Sequence, residues 1–209
     1  MKLVKLLQLA SPALPVGAYS YSGGLEAALE AGVVRDASSA ERWIGDVLEH
    51  SVAGMEAPLL LRMIASPEAR WNELLLASRE TAELRAETLQ MGYSLAKLLE
   101  SLGLEPIQGQ EISFPLAYAH AVREWGIDAR EALVAYLWAW LENQVMAAIK
   151  AVPLGQTDGQ RILLALGARL DALASRAAAL GEEELGNFAP RLAMFSSRHE
   201  TQYSRLFRS

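Results

Sequence analysis

The sequence has 209 residues, of which 52% are hydrophobic and 21% charged, so it is long enough for one domain with a substantial core. Its formal net charge of −6 argues against nucleic-acid binding, and the absence of cysteine excludes disulfides, thiolate metal ligands and cysteine nucleophiles. No stretch reaches the roughly 18 consecutive apolar residues of a membrane span. We therefore expect a cytoplasmic protein with no membrane segment.

The first segment, MKLVKLLQLASPALPVGAYS, has two lysines before an apolar run, as a secretion signal does. Gln8 and Ser11 interrupt that run, and Pro12 and Pro15 follow it. This pattern favours a short buried helix over a cleaved leader. The proline and glycine residues of the stretch from about 10 to 24 predict an irregular N-terminal segment.

Helical periodicity dominates the remainder of the chain, and we find no convincing run of alternating β-branched residues. Ser38, three residues before Glu41, predicts a capping box and a helix start. The triplet Ser66-Pro67-Glu68 predicts the start of a long helix over about 67–101, either continuous or broken once.

The second half of the chain continues the same pattern. Asp128 with Glu131 predicts another helix start, and 161–180, rich in alanine and leucine, is again helical. A core-facing stripe recurs at three- and four-residue steps: Val134, Leu137, Trp138, Leu141, Val145, Ala148, Ile149 and Val152. Short connections separate these helices, so we predict an all-α, single-domain, compact helical bundle over residues 1–209.

Signatures of common active sites are missing. The chain contains no Gly-Lys pair, so it lacks the phosphate-binding loop of nucleotide hydrolases. His50, His120 and His199 are isolated in the sequence; we expect His50 at a helix end and His120 partly buried. No serine stands in the strand-to-helix turn of a hydrolase. We therefore expect no enzyme activity, no cofactor and no metal site.

One acidic cluster leaves an alternative open. Glu80, Glu83 and Glu87 share a helix face and could hold a hard cation weakly. The simpler interpretation is a solvated face on which Arg79 pairs with Glu83 four residues later.

The positive signal is for binding, because aromatic residues and arginine are the usual anchors of protein interfaces. The sequence concentrates them in its two least regular stretches, GAYSYSGG and SRHETQYSRLFRS. From Pro190 onward there are four arginines and one glutamate, so this basic tail contrasts with a more acidic body.

Four blocks of the sequence together resemble the UreF family of bacterial urease accessory proteins. They are LLQLASPALPVGAYSYSGGLEAAL, ETAELRAETLQMGYSL, VPLGQTDGQRIL and SSRHETQYSRLFRS, and they follow the family's order over nearly the whole chain. The sequence departs from the family's usual residues at Ala18, where glycine is frequent, at Tyr19, where phenylalanine is common, and at Ser197, where methionine is frequent. None of these departures changes the charge.

The resemblance implies an all-α homodimer that is not itself an enzyme. Members of the family join the accessory protein UreD, called UreH in some organisms, to the nickel-carrying GTPase UreG, and this assembly delivers nickel to apo-urease. Two interpretations remain open. The protein is either a scaffold that modulates the GTPase or a true GTPase activator that supplies one of its fifteen arginines to the reaction. A helical enzyme with a small-molecule pocket is a third, weaker alternative.

The predicted partner-binding residues form three groups. They are Tyr19, Ser20 and Tyr21 in the N-terminal segment; Lys150, Gln156, Asp158 and Gln160 around the third block; and Arg198, His199, Glu200, Tyr203, Arg205, Phe207 and Arg208 in the tail. We expect Lys150 to interact with the end of its helix and to face the GTPase. Thr157 or Asp158 is expected to open the next helix.

The two irregular segments are expected to meet, with the hydroxyl of Tyr19 or Tyr21 bound to the tail. The recognition tail, about 190–209, is predicted to be disordered or loosely docked in the free protein and to order when UreD binds. A helical turn in the tail would place Tyr203 and Phe207 on adjoining faces. Arg205 and Arg208 are expected to matter more for binding than His199.

Overall fold

The computed structural model describes residues 2–109 and 111–209, and within them the fold is all-α with no strand, as predicted. The helices are α1 (Lys2–Leu9), α2 (Leu25–Glu30), α3 (Ala37–Val47), α4 (Ala57–Ala65), α5 (Ala69–Ala77), α6 (Ala82–Ser101), α7 (Phe114–Glu124), α8 (Ala129–Ala151), α9 (Gln156–Gly167), α10 (Leu170–Ala179) and α11 (Pro190–His199). A π-helical segment, Leu48–Glu56, joins α3 to α4, and two 3-10 turns lie at Ala18–Ser20 and Glu182–Glu184.

Helix α8 lies at the centre of the bundle and packs against α1, α2, α3, α4, α9 and α10. Asp128 caps it as predicted, because its carboxylate accepts hydrogen bonds from the main-chain N–H groups of Arg130 and Glu131, both at 3.0 Å. The predicted stripe faces the core: Leu137, Leu141, Val145, Ala148 and Val152 are buried, and Val134, Trp138 and Ile149 are partly buried.

Within the described residues, α8 is the one helix whose length and composition would allow it to cross a membrane. Half of its most apolar stretch is buried inside the bundle. Such burial is typical of the core helix of a folded domain.

The predicted start of α3 is wrong by two residues. Asp36 is the cap: its carboxylate accepts from the Ser39 N–H at 2.8 Å, and the Ser39 hydroxyl accepts from the Asp36 N–H at 3.0 Å. The Ser38–Glu41 capping box does not form, because this reciprocal pair satisfies the first turn earlier in the chain.

The predicted start at Ser66 is also wrong, because Ser66 ends α4 in an extended conformation and α5 begins only at Ala69. The predicted long helix is broken once, between α5 and α6. There the Thr81 hydroxyl accepts from the Leu84 N–H at 3.2 Å and begins α6.

Two further predictions differ from the structure. The helical stretch 161–180 is two helices, α9 and α10, and α9 begins at Gln156 after Gly155 rather than at Thr157 or Asp158. Helix α1 is short, as predicted, but only one face is buried: Leu6 and Leu9 pack inward, while the remaining apolar side chains, Leu3, Val4 and Leu7, are exposed. Half-burial is sufficient for so short an amphipathic helix.

The π-helical segment holds a distant loop in place through its main-chain carbonyls. The Phe188 N–H donates to the His50 carbonyl at 3.1 Å, and the Gly186 N–H donates to the Gly54 carbonyl at 3.2 Å. His50 therefore lies inside a continuous helical stretch rather than at a helix end. His120, predicted to be partly buried, is buried in α7.

Gly92 of α6 lies against the main chain that leads into α7. A Cβ atom at Gly92 would lie 2.0 Å from the main-chain oxygen of Ile112 and 2.5 Å from the main-chain carbon of Ser113. Main-chain atoms cannot move aside as a flexible side chain can. We expect Gly92→Ala to lower the free energy of unfolding by about 3 kcal/mol or more, measured by urea denaturation.

Gly45→Ala is the matched control, because the added Cβ would meet only the ends of the Leu166 and Arg169 side chains, at 3.2 and 3.4 Å. Its effect should be much smaller. Equal losses in the two variants would contradict the close approach at Gly92.

Candidate partner-binding site

The tail turns back from the end of α11 and docks on the N-terminal segment. The Arg208 N–H donates to the Ser20 carbonyl at 2.8 Å, and the Ser22 N–H donates to the Ser209 main-chain oxygen at 3.0 Å. The Ser22 hydroxyl donates to the same oxygen at 2.5 Å, and Phe207 and Ser209 are buried. The predicted disordered or loosely docked tail is therefore wrong, because paired main-chain groups and a buried ring fix it. Its irregular part is 200–209, since α11 extends to His199.

Glu26 of α2 is the main receptor for the tail. Its carboxylate accepts from the Leu206 N–H at 2.6 Å and from the Phe207 N–H at 2.9 Å, and it lies 3.3 Å from Nε2 of His199. Glu26 is itself buried. Because a buried carboxylate requires donors, the tail and this residue satisfy each other.

His199 stands between two carboxylates and is fully buried. Its Nδ1 lies 2.7 Å from Glu83, opposite the contact of Nε2 with Glu26. The imidazole therefore links α2 to α6 through its two ring nitrogens.

Glu83 also accepts from the Arg205 guanidinium at 2.6 Å and is largely buried. The predicted solvated acidic face with an Arg79–Glu83 pair is therefore wrong. Arg79 instead pairs with Glu56, which also accepts from the Tyr136 hydroxyl. The break before α6 turns the Arg79 side chain into the core, away from Glu83.

Glu87, one turn further along α6, accepts from the Ser209 hydroxyl at 2.7 Å. Burial raises the pKa of this carboxyl to about 7, although the Ser209 hydrogen bond and Arg79 act in the opposite direction. Burial also raises the pKa of Tyr136 well above its usual value, and the adjacent Glu56 charge adds to that shift.

Around the docked tail, the predicted residues of the N-terminal segment, α8 and the tail come together. The Lys150 ammonium lies 5.7 Å from the Tyr19 ring centre and 5.9 Å from the Phe207 ring centre. Burial raises the pKa of the Tyr21 hydroxyl, and the Arg208 guanidinium beside it partly offsets this. The N-terminal segment and the tail therefore meet, as predicted. Main-chain groups and Ser22 join them, as well as Tyr21.

Other tail residues hold separate positions. The Glu200 carboxylate accepts from the Ala82 N–H at 3.0 Å, where the positive end of the α6 dipole favours it. The guanidinium of Arg198 lies over the Phe195 ring. The predicted helical turn is wrong: residues 203–207 are not helical, and Tyr203 is fully exposed whereas Phe207 is buried.

Gln156, Asp158 and Gln160 lie in the first turns of α9. Asp158 pairs with Arg161 at 2.9 Å, and within the described residues no hydrogen bond or ion pair joins these three residues to the tail. Their connection with the site is that they follow Lys150 closely in the sequence.

Sequence reasoning missed four residues that hold the tail, namely Ser22, Glu26, Glu83 and Glu87. A signal was present for Glu26, because it stands inside the apolar segment LEAAL, whose helix is largely buried. Ser22 precedes that helix and is buried beside it. Glu83 and Glu87 carried no such signal, because they look like any exposed acidic face.

A cavity of about 220 Å³ reaches from this surface into the core. Tyr19 and Lys150 line it together with the buried groups Glu56, Arg79 and Glu87. Within residues 2–109 and 111–209, no group of three or more His, Cys, Asp or Glu side chains is arranged so that it could hold a metal ion.

Comparison with known proteins identifies the family. The sequence profile of UreF matches residues 34–167. Urease accessory protein UreF of Azoarcus sp. strain BH72 is 58% identical and is aligned over all of this chain and 96% of its own length. The proteins of the same name from Dechloromonas aromatica strain RCB and Janthinobacterium sp. strain Marseille are 48% and 50% identical, over 100% and 99% of this chain and 98% of each relative. The chain belongs to the UreF family of urease accessory proteins.

Proposed function

We propose that this protein is a cytoplasmic adaptor, active as a homodimer, that joins UreD (UreH) to the GTPase UreG during nickel delivery to apo-urease. It would perform no catalysis, hold no cofactor, and bind neither nucleic acid nor membrane. Its contribution is a shaped surface on which the partners assemble, and its effect on the GTPase is to couple GTP hydrolysis to nickel release.

The observation that carries the proposal is the docked tail. Glu26 and Glu83 hold the tail main chain and His199, so the tail is already ordered before a partner binds. Partner binding therefore does not include the entropy loss of ordering it. The N-terminal segment, α8 and the tail then present exposed aromatic, aliphatic and cationic side chains: Tyr19, Lys150, Tyr203, Leu206 and Arg208. Such groups are typical anchors of protein interfaces.

Lys150→Ala tests the proposal. Lys150 is exposed and its ammonium lies near the Tyr19 and Phe207 rings, so we expect its loss to weaken UreG binding about tenfold while the melting temperature stays within a degree or two. Binding is measured by calorimetry with purified UreD and UreG. Lys97→Ala, which removes an exposed lysine from α6, is the control and should bind as wild type.

If Lys150→Ala binds UreG as tightly as wild type, Lys150 has no part in UreG binding, and its role is confined to the end of α8. GTP turnover in the same samples separates the scaffold from the arginine-donating activator. A variant such as Arg208→Lys that retains UreG binding but loses stimulated turnover would favour the activator.

A further inference from the structure

A second cavity, of about 390 Å³, lies between α3 and the start of α11 and is not lined by residues 200–209, the irregular part of the tail. Its lining includes Arg42, the buried indole of Trp43, His50, Phe188 and Arg191. We call it the Phe188 cavity. Nothing in the adaptor surface described above uses it.

Phe188 is unusual because its ring is exposed while its main chain is fixed. Its side chain is 80% exposed. The Phe188 N–H donates to the His50 carbonyl, and the preceding residue, Asn187, donates its side-chain amide to the Ser78 carbonyl at 3.1 Å. An exposed aromatic ring on a fixed main chain loses little conformational freedom on binding, which is what an interface anchor requires.

The charge around the cavity differs in sign from that of the whole protein. Arg42 and Arg191 contribute two guanidinium groups, against one carboxylate, Asp46. Within residues 2–109 and 111–209, neither of these arginines forms an ion pair, although Arg42 donates to the Ser38 hydroxyl at 3.1 Å. Both are exposed, so both are available to a carboxylate.

We propose that the Phe188 cavity is a second docking site, which takes an acidic segment of a partner protein. An apolar side chain of that segment would pack against the Phe188 ring, and its carboxylates would pair with Arg42 and Arg191. This inference rests on the proposed adaptor function, since the partner is one of the proteins with which the chain assembles.

The π-helical segment accounts for the position of the loop that carries Phe188. In a π-helix each N–H bonds to a carbonyl five residues earlier, and such segments frequently mark functional sites. Here the carbonyls of His50 and Gly54 accept from the loop at Gly186 and Phe188. The irregular helix thereby fixes the position of the anchor ring.

The test uses purified UreD, UreG and apo-urease as separate probes, with binding measured by calorimetry at low and high salt. Phe188→Ala and Arg191→Glu should each weaken the binding of one of these proteins by about tenfold or more. The wild-type affinity for that protein should fall as salt rises, because exposed charge pairs are screened. Leu164→Ala, at a leucine that is 79% exposed on α9, and Lys97→Glu, with the same charge change as Arg191→Glu, should have no effect.

Two outcomes would overturn the inference, and they differ in what else they contradict. If all three proteins bind Phe188→Ala and Arg191→Glu as tightly as wild type, while Lys150→Ala loses UreG, the cavity is not a docking site and the adaptor function stands. If wild-type protein binds none of the three, the adaptor function fails as well. Circular dichroism should give wild-type melting temperatures for both variants, since both side chains are exposed.

Discussion

Glu26→Ala should release the tail from the body of the protein. The substitution leaves the N–H groups of Leu206 and Phe207 without their acceptor, and it leaves His199 with one carboxylate instead of two. Each buried donor without a partner costs roughly 1–3 kcal/mol, so the tail becomes more stable in water than on the bundle. We expect the amides of residues 206–209 to lose their protection from hydrogen exchange, and UreG recruitment to fall with them.

The matched control is Glu30→Ala, which removes an exposed carboxylate from the last turn of the same helix. It should leave both exchange and recruitment unchanged. The helices of the core should melt at nearly the wild-type temperature in both variants, because Glu26 contacts the tail rather than the centre of the bundle. Wild-type protection of Leu206 and Phe207 in Glu26→Ala would refute the role of this carboxylate.

Glu87→Gln should stabilise the protein in mildly alkaline solution. The pKa of Glu87 is raised to about 7 in the folded protein from its ordinary value of 4.5, so the folded state binds this proton more tightly than the unfolded state does. The resulting stabilisation is fully present below about pH 4.5 and is lost as the pH rises through about 7. At pH 8 the buried charge costs on the order of 3 kcal/mol, which glutamine avoids.

The measurement is the free energy of unfolding by urea at pH 5 and at pH 8. The gain of Glu87→Gln over wild type should be large at pH 8 and small at pH 5. Glu73→Gln, at an exposed position on α5, is the control and should show no such difference. An equal gain at both pH values would indicate that the effect comes from the amide and not from the removal of a buried charge.

The all-α fold and the core stripe of α8 could be predicted because both follow from periodicity, which the sequence displays directly. Helix starts were less predictable. Ser38 and Ser66 both have the residue type of a cap, but the caps of α3 and α6 are Asp36 and Thr81, whose side chains accept from the main-chain N–H groups three residues later. Local sequence alone does not decide between neighbouring candidates.

The candidate site was predicted in part, and the difference has a physical cause. Tyr19, Lys150 and the tail could be named because cations and rings stand out in the sequence. Glu83 and Glu87 could not, because their burial depends on a segment more than 100 residues away along the chain. The ranking of Arg205 and Arg208 above His199 for partner binding stays a prediction. For tail docking, His199 is fully buried, whereas both arginines are exposed.

The pairing of Ser22 with Ser209 also affects the kinetics of folding. These residues are 187 positions apart, so the contact closes a loop that contains nearly the whole bundle. Closing so long a loop costs conformational entropy, and that loss is offset most easily once the intervening helices are packed. The contact between the tail and the N-terminal segment should thus be the last region to form and the first to open, on a timescale separate from global unfolding.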